Sequence, residues 1–387
     1  MHQSVKQIPV ARPHLGEEEA AAARDAILTG WVTQGPQVEA FESEFASMTG
    51  APFACAVSSC TAALHMALVA LGIGDGDEVI TVSHSFIATA NAIRYTGAKP
   101  VFVDIERDSC NIDPERVEAA ISPRTRAILA VHQIGHPCDL TRILHIAQHH
   151  SIPVIEDAAC AVGSAIRMDG SWQMIGKPHG LIACFSFHPR KVLTTGEGGM
   201  ITTSEPDLLK RFTLLRQHGM TLTDRQRHNS TQVVFEEYPE IGYNYRMTDI
   251  QAAIGRVQLR KLPRLVARRR ELAARYSEAI ATIDGIECLP LRSWETPNFQ
   301  SYAIRVLPHF SMDRNALMQF LLARGISTRP GIMNAHQEGA HLEHNPVSLP
   351  NSEDARNSML LLPLFPDMTN VEISYIIDEL RAVSQQD

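Results

Sequence analysis

Phe53-Ala54-Cys55-Ala56-Val57-Ser58-Ser59-Cys60-Thr61-Ala62-Ala63-Leu64-His65 opens with five apolar residues, breaks at two serines and resumes as a run of small, helix-forming residues. A short continuous apolar run reads as a strand buried on both faces, and the segment from 62 to 71 reads as a helix. The same unit recurs outward along the chain. Strands at 78–82, 100–103, 127–131 and 153–155 alternate with helices at 86–95, 114–120 and 139–149. Strands and helices alternating at these lengths build βαβ units, so the spacing predicts an α/β fold around a mainly parallel sheet covered on both faces. Ligands of such sheets bind beyond the carboxyl ends of the strands, where loops lead into helices. Candidate functional residues are therefore sought at those turns.

The chain has 387 residues, too many for one ordinary core, and divides on pattern into a large domain, 1–260, and a smaller C-terminal α/β domain, 261–387. Upstream of the alternating units lie an amphipathic helix over Glu17 to Leu28, a turn-rich Trp31-Val32-Thr33-Gln34-Gly35-Pro36, and a helix over Val38 to Met48. After Lys261-Leu262-Pro263 the character changes. A long charged helix over 264–282 is followed by a strand over 301–307, a helix over 313–323 and a terminal helix from about 370, with the hinge expected near 260. The basic cluster Arg260, Lys261, Arg264, Arg268, Arg269, Arg270 and Arg275 reads as the solvated face of that helix.

Hydrophobic residues at 44% and charged residues at 20% are those of a soluble globular protein. No apolar run reaches the length that spans a bilayer and the first residues lack the apolar stretch of a signal peptide, so a cytoplasmic protein is expected. A net charge of −8 supplies no field for nucleic acid. Seven cysteines, without zinc-finger spacing and mostly in apolar strands or beside motifs, predict reduced thiols.

Four turns carry chemistry. Ser58 to Thr61 follows a strand and opens a helix with small residues, which leaves amide groups free at the positive end of the helix dipole to hold a phosphate; the same residues also cap helices without any ligand. Ser83 to Asn91 places Phe86 at the next strand end, where a core position is the ordinary reading. Glu156 and Asp157 end another strand, and adjacent strand residues point to opposite faces, so the two acids should have different tasks. Phe185-Ser186-Phe187-His188-Pro189-Arg190-Lys191-Val192-Leu193-Thr194-Thr195-Gly196-Glu197-Gly198-Gly199-Met200 places Lys191 between an apolar strand and a threonine-glycine turn. Desolvation there disfavours the ammonium form, and a neutral lysine is a nucleophile for aldehydes and ketones. His132, His136 and Cys138 lack a convincing fourth metal ligand and read as a structural loop, so no metal is expected.

These motifs, in this order, resemble those of the DegT/DnrJ/EryC1/StrS aminotransferases, which use pyridoxal phosphate (PLP) on activated sugars. The resemblance runs from Glu17 to Leu362-Pro363-Leu364-Phe365-Pro366. It implies a fold of the aspartate-aminotransferase type (fold type I). It also implies a Schiff-base amine at Lys191, a ring-nitrogen partner at Asp157, a phosphate site at Ser59, Cys60, Thr61 and Ser186, and ring stacking by Phe86. In the segment Gly242 to Asp249 it implies that Asn244 reaches the cofactor phosphate of a neighbouring subunit, hence a homodimer with shared sites. Thr33, Gln34, His188, Arg246, Arg329 and His336 become substrate candidates. Many relatives carry Gln or His where this chain has Cys160, a side chain that usually contacts the cofactor's ring hydroxyl, and a thiol is only a weak donor. The implied activity moves an amino group from an amino acid, L-glutamate, to a keto-sugar linked to a nucleotide. The alternatives are an aminotransferase for a keto-cyclitol or a long-chain sugar, a PLP-dependent sugar dehydratase, in which histidine replaces the lysine, and a non-catalytic regulator on the same fold. Loops near 219–242 and 329–345 are expected to shape the substrate pocket.

Overall fold

The computed structural model describes residues 7–222, 227, 230–342 and 347–384; parts of both expected pocket loops, at 223–226, 228–229 and 343–346, lie outside the described residues. Two helices, α1 (Glu17–Leu28) and α2 (Pro36–Thr49), precede the alternating units. Those units form β1 (Phe53–Val57), α3 (Cys60–Ala70), β2 (Glu78–Val82), α4 (Ala88–Tyr95), β3 (Lys99–Val103), α5 (Pro114–Ala120), β4 (Thr125–Val131), α6 (Leu140–His149) and β5 (Val154–Asp157). A short hairpin, β6 (Ala165–Met168) and β7 (Ser171–Met174), is followed by β8 (Ile182–Ser186), β9 (Gly199–Thr203) and α7 (Pro206–Leu215).

Seven of these strands make one sheet in the order β1-β9-β8-β5-β4-β2-β3. The pairs among β8, β5, β4, β2 and β3 are parallel, whereas β9 runs antiparallel to both β8 and β1. The carboxyl ends of β1, β2, β4, β5 and β8 therefore share one edge, and with it Val57, Val82, Val131, Asp157 and Ser186. Period-2 alternation decides what β8 offers there. Phe185 and Phe187 pack on Phe45 with ring centroids 5.0 and 5.8 Å apart, and Ser186 between them takes the other face.

A second apolar cluster takes residues from Leu272 to Val383, joined by Ile8 from the other end of the chain. Its sheet, in the order β10-β12-β14-β13, consists of β10 (Ile286–Cys288), β12 (Tyr302–Val306), β13 (Arg329–Pro330) and β14 (Met359–Leu362), while β11 (Glu295–Thr296) pairs with β6. Ile8 is tied in by its amide to the Gly325 carbonyl (2.8 Å) and by its carbonyl to the Ser327 amide (2.9 Å). Among the described residues no helix is long and apolar enough to cross a membrane.

The helix expected to begin after Lys261-Leu262-Pro263 starts earlier: α8 (Asp249–Ile280) is one helix that passes through Pro263. An interior proline costs about 3 kcal/mol. Leu259, Leu262, Leu265 and Val266 are all buried around it, at about 1.5–3 kcal/mol each, so burial outweighs the break. The same helix contributes Leu259 to Val266 to the first apolar cluster and Leu272 to Ile280 to the second. Nor is its basic cluster uniformly solvated: Arg269 is 2% exposed and Arg270 half-buried, because both donate to main-chain carbonyls of the segment after β11.

Candidate active site

At the end of β1, Ser59 adopts an extended conformation (φ −166°, ψ 163°) and its hydroxyl oxygen accepts from the Ala62 amide at 3.1 Å. The capping reading thus holds for Ser59. It leaves the amides of Cys60 and Thr61, at the positive end of α3, with no hydrogen-bond partner among the described residues. The first residue of β9 lies directly against this turn: a Cβ on Gly199 would collide with the Ser59 carbonyl and the Cys60 amide, so only glycine lets the strand come so close. Ser186, opposite Gly199 in the β8–β9 register, is half-buried beside it.

Asp157 ends β5 and is 4% exposed. Its Oδ2 accepts from Thr89 Oγ1 at 2.8 Å, its Oδ1 from the Ala159 amide at 3.1 Å, and Ser85 Oγ stands 2.8 Å behind Thr89. Burial pushes this carboxyl above its ordinary range against the pull of those bonds and of the Lys191 charge. Its neighbour Glu156 faces the other side of the strand, where it meets His132 Nε2 (3.1 Å) and the amides of His179 (3.1 Å) and Gly180 (2.8 Å).

Lys191 follows β8 in a turn closed by its own amide on the His188 carbonyl (2.8 Å), while His188 Nδ1 accepts from the Arg190 amide (3.2 Å). Its half-buried Nζ donates to Cys160 Sγ at 3.1 Å. The expected neutral amine is not what this arrangement favours. Burial alone would lower the pKa, but Cys160, Cys60 and Asp157 outweigh it and raise the group above its ordinary value. His188 itself is pushed down by burial, against the opposing charge of Glu197.

Phe86 lies in the turn before α4, two residues ahead of the helix start, and is 65% exposed at the same edge, so the core reading fails. Thr33 is exposed and Gln34 half-buried, with a buried Oε1 that has no hydrogen-bond partner among the described residues. Their loop is held by an unforeseen residue. Asp249 does not cap its own helix, which Thr248 does; its carboxylate accepts from the amides of Gly35 (2.8 Å), Gln37 (3.0 Å) and Val38 (3.0 Å) at the start of α2. Asn244 is exposed, and the segment around it runs beside the turn at Ser58 to Thr61, with the Tyr245 carbonyl accepting from the Ser58 amide (2.7 Å) and half-buried Arg246 bridged to Val57. Arg329 is exposed on β13 and close enough to Arg190 to depress it, after burial. His336 is buried: its Nδ1 meets Ser83 Oγ at 2.6 Å and its Nε2 faces Glu353 at 3.4 Å, so its ring serves the docking of the 334–337 turn on β2 instead of an open cleft wall.

The donor set at the sheet edge fits pyridoxal phosphate. Two free amides on a helix start suit a phosphate, a buried carboxylate with acceptor capacity left suits a protonated ring nitrogen, and an amine lies close enough to that carboxylate to feel its charge. The profile of the DegT/DnrJ/EryC1/StrS aminotransferase family matches residues 13–381. The aminotransferase TlmJ from Streptoalloteichus hindustanus is 35% identical, with a TM-score of 0.88 over 97% of this chain and 98% of its own. DesV from S. venezuelae, solved with a ketimine intermediate, is 34% identical, with a TM-score of 0.88 over 99% of this chain and 100% of its own. Spr1654 from Streptococcus pneumoniae, solved in its PLP form, is 28% identical, with a TM-score of 0.90 over 98% of this chain and 99% of its own. The chain belongs to the DegT/DnrJ/EryC1/StrS aminotransferase family and is a PLP-dependent transaminase.

Proposed function

We propose that this transaminase takes an amino group from L-glutamate and delivers it to a keto-sugar carried on a nucleotide, as a cytoplasmic homodimer engaged in amino-sugar biosynthesis. The observation that carries the reading is the meeting of Lys191 Nζ with the Cys160 and Asp157 side of one sheet edge, beside two free helix amides. When bound, the cofactor supplies an aldehyde that exchanges amines and a protonated ring that accepts electron density.

The remaining work falls to side chains of this chain. Lys191 would hold the cofactor through its Nζ, and the same amine, free of it, would take up and give back a proton at the reacting carbon of the substrate. Asp157 keeps the proton on the ring nitrogen, since a nearby anion stabilises the charged form. The Cys60 and Thr61 amides, with the Ser186 hydroxyl, would hold the phosphate, and exposed Phe86 would offer its ring for stacking. Asn244, exposed on its own chain, reaches the phosphate of the second copy. Arg190 and Arg329 bring two guanidinium groups together, an arrangement suited to an anionic substrate such as a carboxylate or a nucleotide phosphate. Thr33, Gln34, His188 and Arg246 line the approach. The large and small domains meet along α8, where the apolar core changes from one cluster to the other.

Running the reaction backwards tests this. Purified enzyme given 2-oxoglutarate and a panel of nucleotide-linked amino-sugars should form glutamate from at least one of them, and Lys191→Ala should abolish it. Activity only on free cyclitol amines would remove the nucleotide-sugar reading. Full activity in Lys191→Ala would remove the site.

A further inference from the structure

The link between β11 and β12 makes contacts that no motif announces. Asn298 is completely buried and all its polar side-chain capacity is spent on main chain: Nδ2 donates to the Cys160 carbonyl (2.8 Å) and the Val162 carbonyl (2.8 Å), and Oδ1 accepts from the Gln300 amide (2.8 Å). Its own amide donates to Ser164 Oγ (2.9 Å), which in turn donates to the Gly135 carbonyl (2.7 Å). Two residues on, Gln300 Nε2 donates to the Arg190 carbonyl (3.0 Å), the carbonyl of the peptide that enters Lys191. One short segment thus grips the main chain at Cys160 and next to Lys191, the two residues whose side chains meet at 3.1 Å.

The segment is itself held from α8. Arg269 Nη1 donates to the carbonyls of Phe299 (3.1 Å), Gln300 (3.2 Å) and Leu364 (3.1 Å), and Arg270 donates to those of Pro297 (2.9 Å), Thr296 (3.1 Å) and Gly163 (3.3 Å). A buried guanidinium without a carboxylate partner is costly to desolvate, and these hydrogen bonds to the bend are what offset that cost. Phe299 within the bend has φ 50°, a left-handed conformation that a bulky residue adopts only when its surroundings impose it.

We propose that Asn298 and Gln300 form a positioning strut that sets the distance and direction of Lys191 Nζ relative to Cys160, and through them the proton transfers of the reaction. The inference rests on Lys191 being the amine of the site. A small misplacement of a group held in reacting position costs up to about a hundredfold in rate. The strut should therefore be felt in kcat and in the protonation of the amine, not in substrate affinity.

The test uses the full chain loaded with pyridoxal phosphate. Gln300→Ala removes one donor at the surface and leaves the buried Asn298 untouched, so it should fold; Asn298→Asp keeps shape while replacing the double donor by an oxygen facing two carbonyls. The pH midpoint of the cofactor's visible band should move by about half a unit or more in both variants. At saturating substrate kcat should fall about tenfold in Gln300→Ala and up to about a hundredfold in Asn298→Asp, with KM within about twofold. A midpoint and a kcat unchanged in Gln300→Ala, in a protein whose melting temperature equals the parent's, would overturn the strut. Lys191→Ala, run alongside, separates the two ideas. No covalent cofactor in Lys191→Ala after borohydride reduction, with unchanged strut variants, sinks the strut alone, and a cofactor still fixed to the Lys191→Ala protein by borohydride sinks the site reading and the strut with it.

Discussion

Glu156 and Asp157 are consecutive on β5, are 0% and 4% exposed, and are driven in opposite directions. Burial raises both carboxyls and is the largest influence on each. On the Glu156 side, bonds from His132 and His179 overcome it and bring the group down to about 2. On the Asp157 side, one hydroxyl, one amide and a more distant ammonium do not, and the group stays raised. The difference teaches that depth in the sheet does not set a carboxylate's task; the number of donors that meet it does. The back of the strand is complete and structural, whereas the front keeps acceptor capacity for a partner the fold does not supply.

The harshest way to break this comparison is Asp157→Asn. The substitution keeps size and a hydrogen bond while removing the charge that would hold a ring proton. Its kcat should drop by about 10²–10⁴-fold with KM little changed, measured on the PLP-loaded enzyme. The cofactor-free variant should be more stable than the parent at neutral pH. The sign follows from the raised pKa: whatever stability the neutral carboxyl contributes is present below its unfolded value of 3.8 and is lost as pH rises through the folded value. Activity within tenfold of the parent would erase the distinction between the two faces.

Glu156→Ala probes the other face and should do the reverse. Breaking a buried charge network by deleting one member costs about 3–5 kcal/mol, readable as a shift of the urea midpoint, while the pH midpoint of the visible band stays in place. Because the folded pKa is depressed, the stability Glu156 contributes is complete above 4.5 and lost as pH falls towards about 2. Urea titrations between those values should show a limb in the parent that the variant lacks. A catalytic loss without a stability loss would mean that the faces are exchanged.

Much of this arrangement was legible in the residues. The alternation around Phe53 to Val57 and Val154 to Asp157 predicts the sheet because buried parallel strands must be apolar throughout, and period 2 separates the two acids before any coordinates exist. The turn at Ser58 to Thr61, Asp157 and Lys191 come to one sheet edge, as expected, because each follows a strand end. Pro263 misleads, since its cost is local and visible whereas the burial of Leu259 to Val266 that outweighs it depends on tertiary contacts. Arg269 and Arg270 mislead likewise: a run of arginines looks solvated unless one knows which carbonyls lie above it. Asn298, Gln300 and Asp249 leave no pattern, because the bonds that tie them to the site go to main-chain atoms between 110 and 214 residues away. The upward push on the Lys191 pKa is missed for a related reason, as sequence conveys burial near a strand end but not the sulfur 3.1 Å from the amine.

Thr89→Val gives the mildest and sharpest version of the comparison. It removes the hydroxyl that donates to Asp157 Oδ2 at 2.8 Å and keeps the β-branched shape in a buried position. One of the front-side donors is gone, so the carboxyl should move further up, away from the behaviour of Glu156. A single hydrogen bond to a charged group is worth about 1.5–3 kcal/mol, so the variant should lose about tenfold to a hundredfold in kcat, with a displaced pH midpoint of the visible band. Ser85 Oγ, 2.8 Å from Thr89 Oγ1, would lose its own partner, which adds a small stability cost without touching the spectrum. An unchanged midpoint would mean that the front carboxyl is already held by something other than its hydrogen bonds, and donor number would no longer explain why two neighbouring acids diverge.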